Sequence, residues 1–292
     1  MTPSQFTPSL DNSYARVAQA LSNGELQLAF QPIFSASSHR VVAAEALLRW
    51  AHPTHGTLTP DSFLKHIENT DIELPICTLV FEKALQALTL WSAKGFNLRI
   101  AVNLSPALLR PELITVLSHL KDKYGQLLSS LELEITERYT LEDASCASKC
   151  VGQIQEKGLR VSLDDFGTGY NGWDILAKLN VDALKIDRAF VSQVENERGL
   201  EVVRAMTLLA QCLGLEIIAE GVEKESQLAL LQGLKIHYWQ GYLGSKPQSY
   251  DAFTSWLEDH RHGRTALHGQ LNDTRDRAGG SSHLHSACTQ TR

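Results

Sequence analysis

Polar side chains that could bind metal or move protons stand at or near the ends of short apolar segments in this chain. These residues are Glu45, Asn103, Glu134, Glu137, Asp164, Asp165, Lys185, Asp187, Glu220, Glu223 and Gln240. A carboxylate in an apolar strand is costly to bury without a partner, so a single one is often a satisfied structural group. Seven such segments in succession are hard to explain in that way. They predict a site that binds hard divalent cations through oxygen ligands.

The adjacent residues Asp164 and Asp165 suit a site with two metal ions. Metal pairs about 3.5–4 Å apart are typical of sites that cleave phosphodiesters. Side chains alternate along a strand, so both aspartates can serve only if the chain bends after the strand. We expect Gly167, Gly169 and Gly172 to permit this bend.

Eight strand-like segments alternate with helical patterns and would position these residues. The strands are predicted at 26–34, 41–48, 98–104, 131–137, 160–165, 183–187, 216–220 and 236–242. Residues 35–40 are too few for a crossover helix, so the first two strands should be antiparallel. The later strands are apolar and separated by helices, which is typical of parallel strands buried on both faces. This order predicts an α/β fold with a closed barrel, whose rim gathers the carboxyl ends of the strands.

Helical periodicity marks four segments. The first should begin at a cap, Asp11 or Ser13, and end near Gly24. The second is expected at 79–91 and should open after Pro75. The other two are expected at 141–157 and 199–213.

Composition places the chain among ordinary globular proteins. Of the 292 residues, 27 are Lys or Arg and 33 are Asp or Glu, so the formal charge is −6. This balance argues against a nucleic-acid polymer as partner but not against a small phosphate ligand. We expect no membrane span and no signal peptide. The 5 scattered cysteines suggest reduced thiols and a cytoplasmic location.

The length allows two domains or one barrel of about 250 residues. We expect a flexible leader at 1–13, a barrel domain at 14–257 and a polar tail at 258–292. Five of the 11 histidines lie in this tail, which could bind metal weakly. Its composition favours a disordered extension.

The motifs along the chain resemble those of the EAL-domain family of cyclic-di-GMP phosphodiesterases. The resemblance runs from about Tyr14 to Trp256, and its specificity comes from the ordered set rather than from any one motif. The motifs are Gln31-Pro32-Ile33, Glu45-Ala46-Leu47-Leu48-Arg49-Trp50, Val102-Asn103-Leu104-Ser105, Glu134-Ile135-Thr136-Glu137, Asp164-Asp165-Phe166-Gly167-Thr168-Gly169-Tyr170, Leu184-Lys185-Ile186-Asp187, Ala219-Glu220-Gly221-Val222-Glu223 and Gln240-Gly241-Tyr242-Leu243.

The resemblance implies a modified TIM (β/α)8 barrel with an antiparallel first strand. It also implies hydrolysis of cyclic di-GMP to linear pGpG with two Mg²⁺ or Mn²⁺ ions per site, which would lower second-messenger levels in bacterial signalling. By position, the first metal would be bound by Glu45, Asn103, Glu134 and Asp164, and the second by Asp164, Asp165 and Glu220. The catalytic group would be Glu45, Lys185, Glu220 and Gln240, with Lys185 holding or activating the attacking water. Substrate contacts would come from Gln31, Leu48, Arg49, Asp187 and Gln240, and loop bracing from Glu137 and Asn171.

The chain departs from the family pattern in three places. Asn171-Gly172-Trp173 replaces the usual Ser-Ser-Leu, Asn180 stands where Pro is frequent, and Gly244 stands where an aromatic is common. None of these changes removes a metal ligand. The altered loop leaves open a non-enzymatic receptor or interaction module for cyclic di-GMP, and an unrelated metal-dependent barrel lyase is a third reading. Regulation is expected through a homodimer face near Trp173 or a regulatory protein in trans.

Overall fold

The computed structural model describes residues 13–136, 144–169 and 172–261. Its strands are β1 (Leu26–Ser35), β2 (Val41–His52), β3 (Gly56–Leu58), β4 (Arg99–Leu104), β5 (Leu131–Thr136), β6 (Arg160–Phe166), β7 (Ala183–Ile186), β8 (Glu216–Ala219), β9 (Tyr238–Trp239) and β10 (Gln248–Ser249). Its helices are α1 (Tyr14–Ser22), α2 (Glu73–Ala93), α3 (Pro111–Tyr124), α4 (Ala144–Glu156), α5 (Gly172–Lys178), α6 (Arg188–Val191), α7 (Glu197–Cys212), α8 (Glu225–Gly233) and α9 (Tyr250–Arg261).

Eight of the described strands close into a ring in the order β1, β2, β4, β5, β6, β7, β8, β9 and back to β1. Strand β1 is antiparallel to both of its neighbours in the ring, whereas the other pairs are parallel. Strands β3 and β10 attach to β2 and β1 outside the ring. The predicted α/β barrel with an antiparallel first strand is confirmed.

Side chains alternate along each barrel strand between the helices outside and the interior. On β6, Val161 and Leu163 are fully buried in the main apolar core. Burial of each such side chain contributes about 1.5–3 kcal/mol, which ties the strand to the helix layer. The alternate residues of β6, Arg160, Ser162 and Asp164, therefore face the interior.

The interior of the barrel is layered. At the amino ends of the strands, Arg160 forms ion pairs with Glu132 and Glu216. A small apolar cluster, separate from the main core, is formed by Ile33, Ala43, Ala101, Ala183 and Ile218. Its Ala101 is the register partner of Glu132, and the carboxylates predicted as ligands lie nearer the carboxyl ends of the strands.

Several strand and helix boundaries differ from those predicted, among them the end of β2, which reaches His52 rather than 48. The last barrel strand was expected at 236–242, but β9 covers two residues, because the chain turns at Gly241. A Cβ at Gly241 would lie 2.1 Å from the Val222 carbonyl oxygen, so the backbones approach too closely for another residue there. Helix α2 begins at Glu73 rather than after Pro75. Pro75 is tolerated in the first turn, where a helix does not use the missing N–H.

The other predicted helices agree in place with α1, α4 and α7, and residues 141–143 lie outside the described part. Helix α7 begins at Glu197, earlier than expected, because the Asn196 side chain accepts a hydrogen bond from the N–H of Gly199. No bounds had been predicted for the other described α-helices, α3, α5, α6, α8 and α9.

Helix α9 extends four residues past the predicted end of the barrel domain at 257. Its last residue, Arg261, donates to the Gly95 carbonyl at 2.8 Å and lies over the Phe96 ring at 4.7 Å. These contacts attach the end of α9 to the end of α2. The predicted leader before Ser13 and the tail after Arg261 lie outside the described residues.

Helix α2 is long and apolar enough to cross a membrane by length and composition, with a mean hydropathy of 1.2 in its most apolar window. Half of that window is buried inside the structure. Buried residues on α2 include Phe81, Leu85 and Trp91, which belong to the main core. The helix therefore packs as a core element of the barrel.

Candidate active site

The predicted ligands meet at the rim where the parallel strands end. Glu45 lies in β2, and Glu134, Asp164 and Lys185 lie in β5, β6 and β7. Asn103 lies in β4, while Glu220 and Gln240 directly follow β8 and β9. Because these strands pair in register around the barrel, the side chains converge on one interior face.

Lys185 lies among three carboxylates. Its Nζ is 2.7 Å from Glu220 Oε1, 2.8 Å from Glu134 Oε1 and 3.2 Å from Asp164 Oδ1. The Lys185 and Glu134 side chains are both fully buried. An ammonium is retained in such a position only when it is paired, since desolvation of an isolated charge costs several kcal/mol.

Two amides orient the carboxylate of Glu45. Asn103 Nδ2 donates to Glu45 Oε1 at 2.9 Å, and Gln240 Nε2 donates to Glu45 Oε2 at 2.7 Å. Gln240 Nε2 also lies 2.9 Å from Gln31 Oε1, and Gln31 Nε2 donates to the Ser245 carbonyl. This chain of hydrogen bonds joins β1, β2 and the residue after β9, so it fixes Glu45 from both sides.

The chain bends at Asp165, which allows it and Asp164 to serve one site. Asp165 has φ +57°, and its N–H donates to Asp164 Oδ1 at 2.8 Å. The pairing of β6 with β7 is interrupted between Leu163 and Phe166. The predicted Gly167 does have a positive φ of +95°, but the backbone already enters this region at Asp165. Such strain in a non-glycine residue costs about 1–3 kcal/mol and is typical of functional sites.

Asp164, Asp165 and Glu220 form a candidate cation site. Each offers a carboxylate oxygen, and these oxygens lie within 4.8 Å of one another. Burial and the neighbouring Asp164 raise the pKa of Glu220 to about 8. Burial also raises the pKa of Glu134 well above its usual value, against the opposing effect of Lys185. Burial would lower the pKa of Lys185, but the surrounding carboxylates, Asp164 foremost, raise it well above its usual value.

The donor set fits a hard divalent cation. The converging groups are carboxylate and amide oxygens, the ligands that Mg²⁺ and Mn²⁺ prefer. Within the described residues, Glu134 Oε2 is buried and has no hydrogen-bond partner. Three carboxylates surround the single ammonium of Lys185, so their formal negative charge exceeds what this ammonium offsets. Bound cations would remove this excess.

A cleft of about 190 Å³ opens beside Glu45 and Glu220. It is lined by Gln31, Glu45, Leu47, Arg188, Glu220, Gly221, Glu223, Gln240, Gly241 and Tyr242. Arg188 and Tyr242 were not predicted as site residues. Their positions directly after Asp187 and Gly241 were the available signal, since motif neighbours often share a site.

Three of the residues predicted to contact the substrate do not line this cleft. Leu48 is buried in the main core. Arg49 is partly buried and donates from Nη1 to the Leu48 carbonyl at 2.8 Å. Asp187 caps α6, because its Oδ1 accepts from the Ala189 N–H at 2.8 Å. Leu48, Arg49 and Asp187 thus each contact neighbouring protein groups outside the lining of the cleft.

The predicted bracing residues Glu137 and Asn171 lie outside the described part of the chain. Trp173 is described, on α5, and is 67% exposed. Its ring meets that of Phe166 edge-on, with centroids 5.9 Å apart. An exposed tryptophan therefore adjoins the strand that carries Asp164 and Asp165.

The closed barrel with one antiparallel strand and a cluster of acidic groups at its rim places the chain in a class of modified α/β barrel proteins. The family profile described as "EAL domain" matches residues 15–247. The chain belongs to the EAL domain family.

Named relatives and a solved structure agree with this assignment. The chain is 36% identical over 246 residues to cyclic di-GMP phosphodiesterase NbdA of Pseudomonas aeruginosa, covering 83% of this chain and 31% of the relative. It is 32% identical over 262 residues to cyclic di-GMP phosphodiesterase PdeR of Escherichia coli, covering 87% and 40%. The chain thus spans less than half the length of these relatives. The solved structure of the PaMucR phosphodiesterase in complex with c-di-GMP is 34% identical, with a TM-score of 0.75, covering 82% of this chain and 98% of that chain.

Proposed function

We propose that this chain hydrolyses cyclic di-GMP to linear pGpG as a metal-dependent phosphodiesterase. The observation that carries the proposal is the convergence of Glu134, Asp164 and Glu220 on Lys185. The names of the relatives point to the same activity, and a related structure holds c-di-GMP. In this role the protein would lower second-messenger levels in bacterial signalling.

The cation ligands in this proposal are the residues already described at the rim. Two Mg²⁺ or Mn²⁺ ions would be held by Glu45, Asn103, Glu134, Asp164, Asp165 and Glu220. Bound there, they would neutralise the phosphodiester and lower the pKa of the attacking water.

The remaining side chains would bind and orient the reactants. Lys185 would donate to the attacking water and hold it against the phosphorus atom, once bound cations released one of its three N–H donors from the carboxylates that now occupy them. Gln240 and Gln31, already joined by a hydrogen bond, would orient the substrate at the edge of the cleft. Arg49 and Arg188 could each present a guanidinium fork to phosphate oxygens.

The experiment is hydrolysis of cyclic di-GMP by the purified full chain with Mn²⁺ or Mg²⁺, with pGpG quantified by chromatography. We expect product with the wild type and none with Glu45→Ala, because that substitution removes a ligand and the acceptor of two amides. Glu82→Gln is the control, since Glu82 lies on α2 and pairs with Lys123 at the surface. Metal-loaded wild type that binds cyclic di-GMP but yields no pGpG would refute the proposal.

The altered loop favours a second candidate, a cyclic-di-GMP receptor or interaction module. Its support is the exposed Trp173 directly after the Asn171-Gly172 substitution. A receptor would bind cyclic di-GMP in the presence of a chelator and form no product. The same assay with EDTA separates the two functions.

We also propose a homodimer through the face near Trp173, a cytoplasmic location and regulation by a partner in trans. Trp173→Ser should convert a dimer into a monomer in light scattering, whereas Leu90→Ser, at an apolar site on α2 that is 52% exposed, should not. A wild-type monomer at micromolar concentration would contradict the dimer.

A further inference from the structure

The barrel interior beneath the carboxylate rim holds the buried hydroxyl of Ser162. This residue lies on β6 two positions before Asp164, so strand alternation places both on the inward face. Ser162 is fully buried, and its Oγ has no hydrogen-bond partner among the described residues. A buried hydroxyl without a partner costs about 1–3 kcal/mol. Such a group is normally satisfied by protein or by ordered water.

Two carboxylate oxygens on the adjacent strand β5 likewise lack a hydrogen-bond partner within the part of the chain that the structure describes. Ser162 is the register partner of Glu134 between β5 and β6. Across the described ranges, Glu134 Oε2 and Glu132 Oε1 are also buried without a hydrogen-bond partner. Glu132 precedes Glu134 by two residues on the same face of β5, and its Oε2 accepts from Arg160. Three buried oxygens that need partners therefore lie on two neighbouring strands.

The side chain next to Ser162 on β7 is small. Ala183 is the register partner of Ser162, and alanine has no atoms beyond Cβ. Ala183, Ala43 and Ala101 share the apolar cluster of this layer with the larger Ile33 and Ile218. A buried water usually makes two to four hydrogen bonds to groups that lack other partners.

We propose that an ordered water molecule binds inside the barrel between Ser162, Glu134 and Glu132. The Ser162 hydroxyl donates to the water oxygen, and the two water hydrogens go to Glu134 Oε2 and Glu132 Oε1. Each of the three oxygens gains one partner, and the water uses both of its hydrogens. An apolar residue at position 162 could not complete this arrangement.

Through this water, Ser162 is a positioning residue for Glu134. The bridge holds Oε2 from beneath while Oε1 remains 2.8 Å from Lys185 Nζ. This role rests on the proposed function, in which Glu134 is a cation ligand. Loss of a partner that orients a metal ligand typically weakens metal affinity about 10–100-fold.

The test combines high-resolution crystallography with Mn²⁺ titration calorimetry in the absence of nucleotide. We expect a solvent peak within hydrogen-bond distance of Ser162 Oγ and Glu134 Oε2 in the wild type. In Ser162→Ala the peak should be lost or displaced, and the Mn²⁺ dissociation constant should rise about tenfold or more. Ser162→Thr keeps the hydroxyl and should restore Mn²⁺ affinity. Ala101→Gly, in the same layer, should bind Mn²⁺ like the wild type.

A wild-type structure without solvent at this place would overturn the hydration site. Wild-type Mn²⁺ affinity in Ser162→Ala would overturn the positioning role. Failure of the proposed function has a different signature, because a wild type that binds no Mn²⁺ or makes no pGpG would still show the solvent peak.

Discussion

The ammonium of Lys185 lies 2.8 Å from Glu134 Oε1, and neither side chain has any exposed surface. The same ammonium lies 2.7 Å from Glu220 Oε1. One buried cation therefore offsets several carboxylates, and the site depends on it when no metal is bound. We therefore expect the stability of the protein to depend on Lys185 and to respond to divalent cations.

Lys185→Met should destabilise the metal-free protein and abolish hydrolysis. Methionine has a similar length but no charge, so Glu134, Asp164 and Glu220 lose their common partner. Removing one member of a buried ion pair costs about 3–5 kcal/mol. Urea unfolding in EDTA measures this loss in the free energy of unfolding.

Mn²⁺ should recover part of the stability of Lys185→Met without recovering its activity. A bound cation neutralises the carboxylates but cannot donate a proton or hold the attacking water in place of the ammonium. A surface control is Lys178→Met, since Lys178 pairs with Asp174 within one helix and such pairs contribute about 0.3–0.5 kcal/mol. Equal stability of Lys185→Met and wild type in EDTA would contradict the role given to Lys185.

Removal of divalent cations should stop hydrolysis and leave a folded but less stable protein. A ligand that binds the folded state adds about 2.7 kcal/mol at a hundredfold excess over its dissociation constant. Thermal unfolding with EDTA or Mn²⁺ measures this increment. We expect the increment to shrink in Glu220→Gln and to persist in Glu82→Gln. A wild-type melting temperature that does not respond to Mn²⁺ would exclude the cation site.

Much of the barrel follows from local sequence, and the exceptions have physical causes. The short segment 35–40 left no room for a crossover helix, which sufficed to predict an antiparallel first pair. The bend at Asp165 was assigned to later glycines, because positive φ in a non-glycine residue is held by surrounding contacts that a sequence does not show. The predicted domain end at 257 falls inside helix α9, whose last residue, Arg261, donates to the backbone carbonyls of Lys94 and Gly95 just after α2, a contact between distant parts of the chain.

The candidate site also combines residues that could be predicted from the sequence with residues that could not. Residues in strands, such as Glu134 and Lys185, could be placed because strand ends share a rim. Arg188 and Tyr242 follow turns, and their position in the cleft depends on loop geometry that periodicity does not specify. The buried position of the Ser162 hydroxyl could not be predicted either, since a serine in a strand carries no signal of burial.

Stability at acid pH should depend on Glu25. Its carboxylate accepts from Trp50 Nε1 at 2.9 Å and from Asn23 and Arg16. These bonds, that of Trp50 first, lower its pKa from 4.5 to about 2. Because the folded pKa lies below the unfolded value, the stabilisation is complete above about pH 4.5 and is lost as the pH falls towards 2. Hydrogen bonds to a charged group contribute about 1.5–3 kcal/mol.

Glu25→Gln should therefore lower the free energy of unfolding at neutral pH and flatten its decline between about pH 4.5 and 3. Urea titrations at several pH values, compared with Glu82→Gln, measure the difference. An unchanged acid decline in Glu25→Gln would show that the carboxylate is not stabilised as its contacts indicate.

Gly221→Ala should destabilise the protein more than Gly214→Ala, although both glycines have similar backbone angles. Their φ values are +66° and +70°, so an alanine costs about 1–2 kcal/mol at either place. A Cβ at Gly214 would meet nothing within 4 Å, whereas a Cβ at Gly221 would lie 2.3 Å from Cβ of Arg188. This collision adds about 1–3 kcal/mol and displaces Arg188 from the cleft. Urea unfolding should separate the variants, and cyclic-di-GMP affinity should fall only in Gly221→Ala. Equal losses in both variants would mean that the backbone angle, rather than close packing under Arg188, requires glycine at position 221.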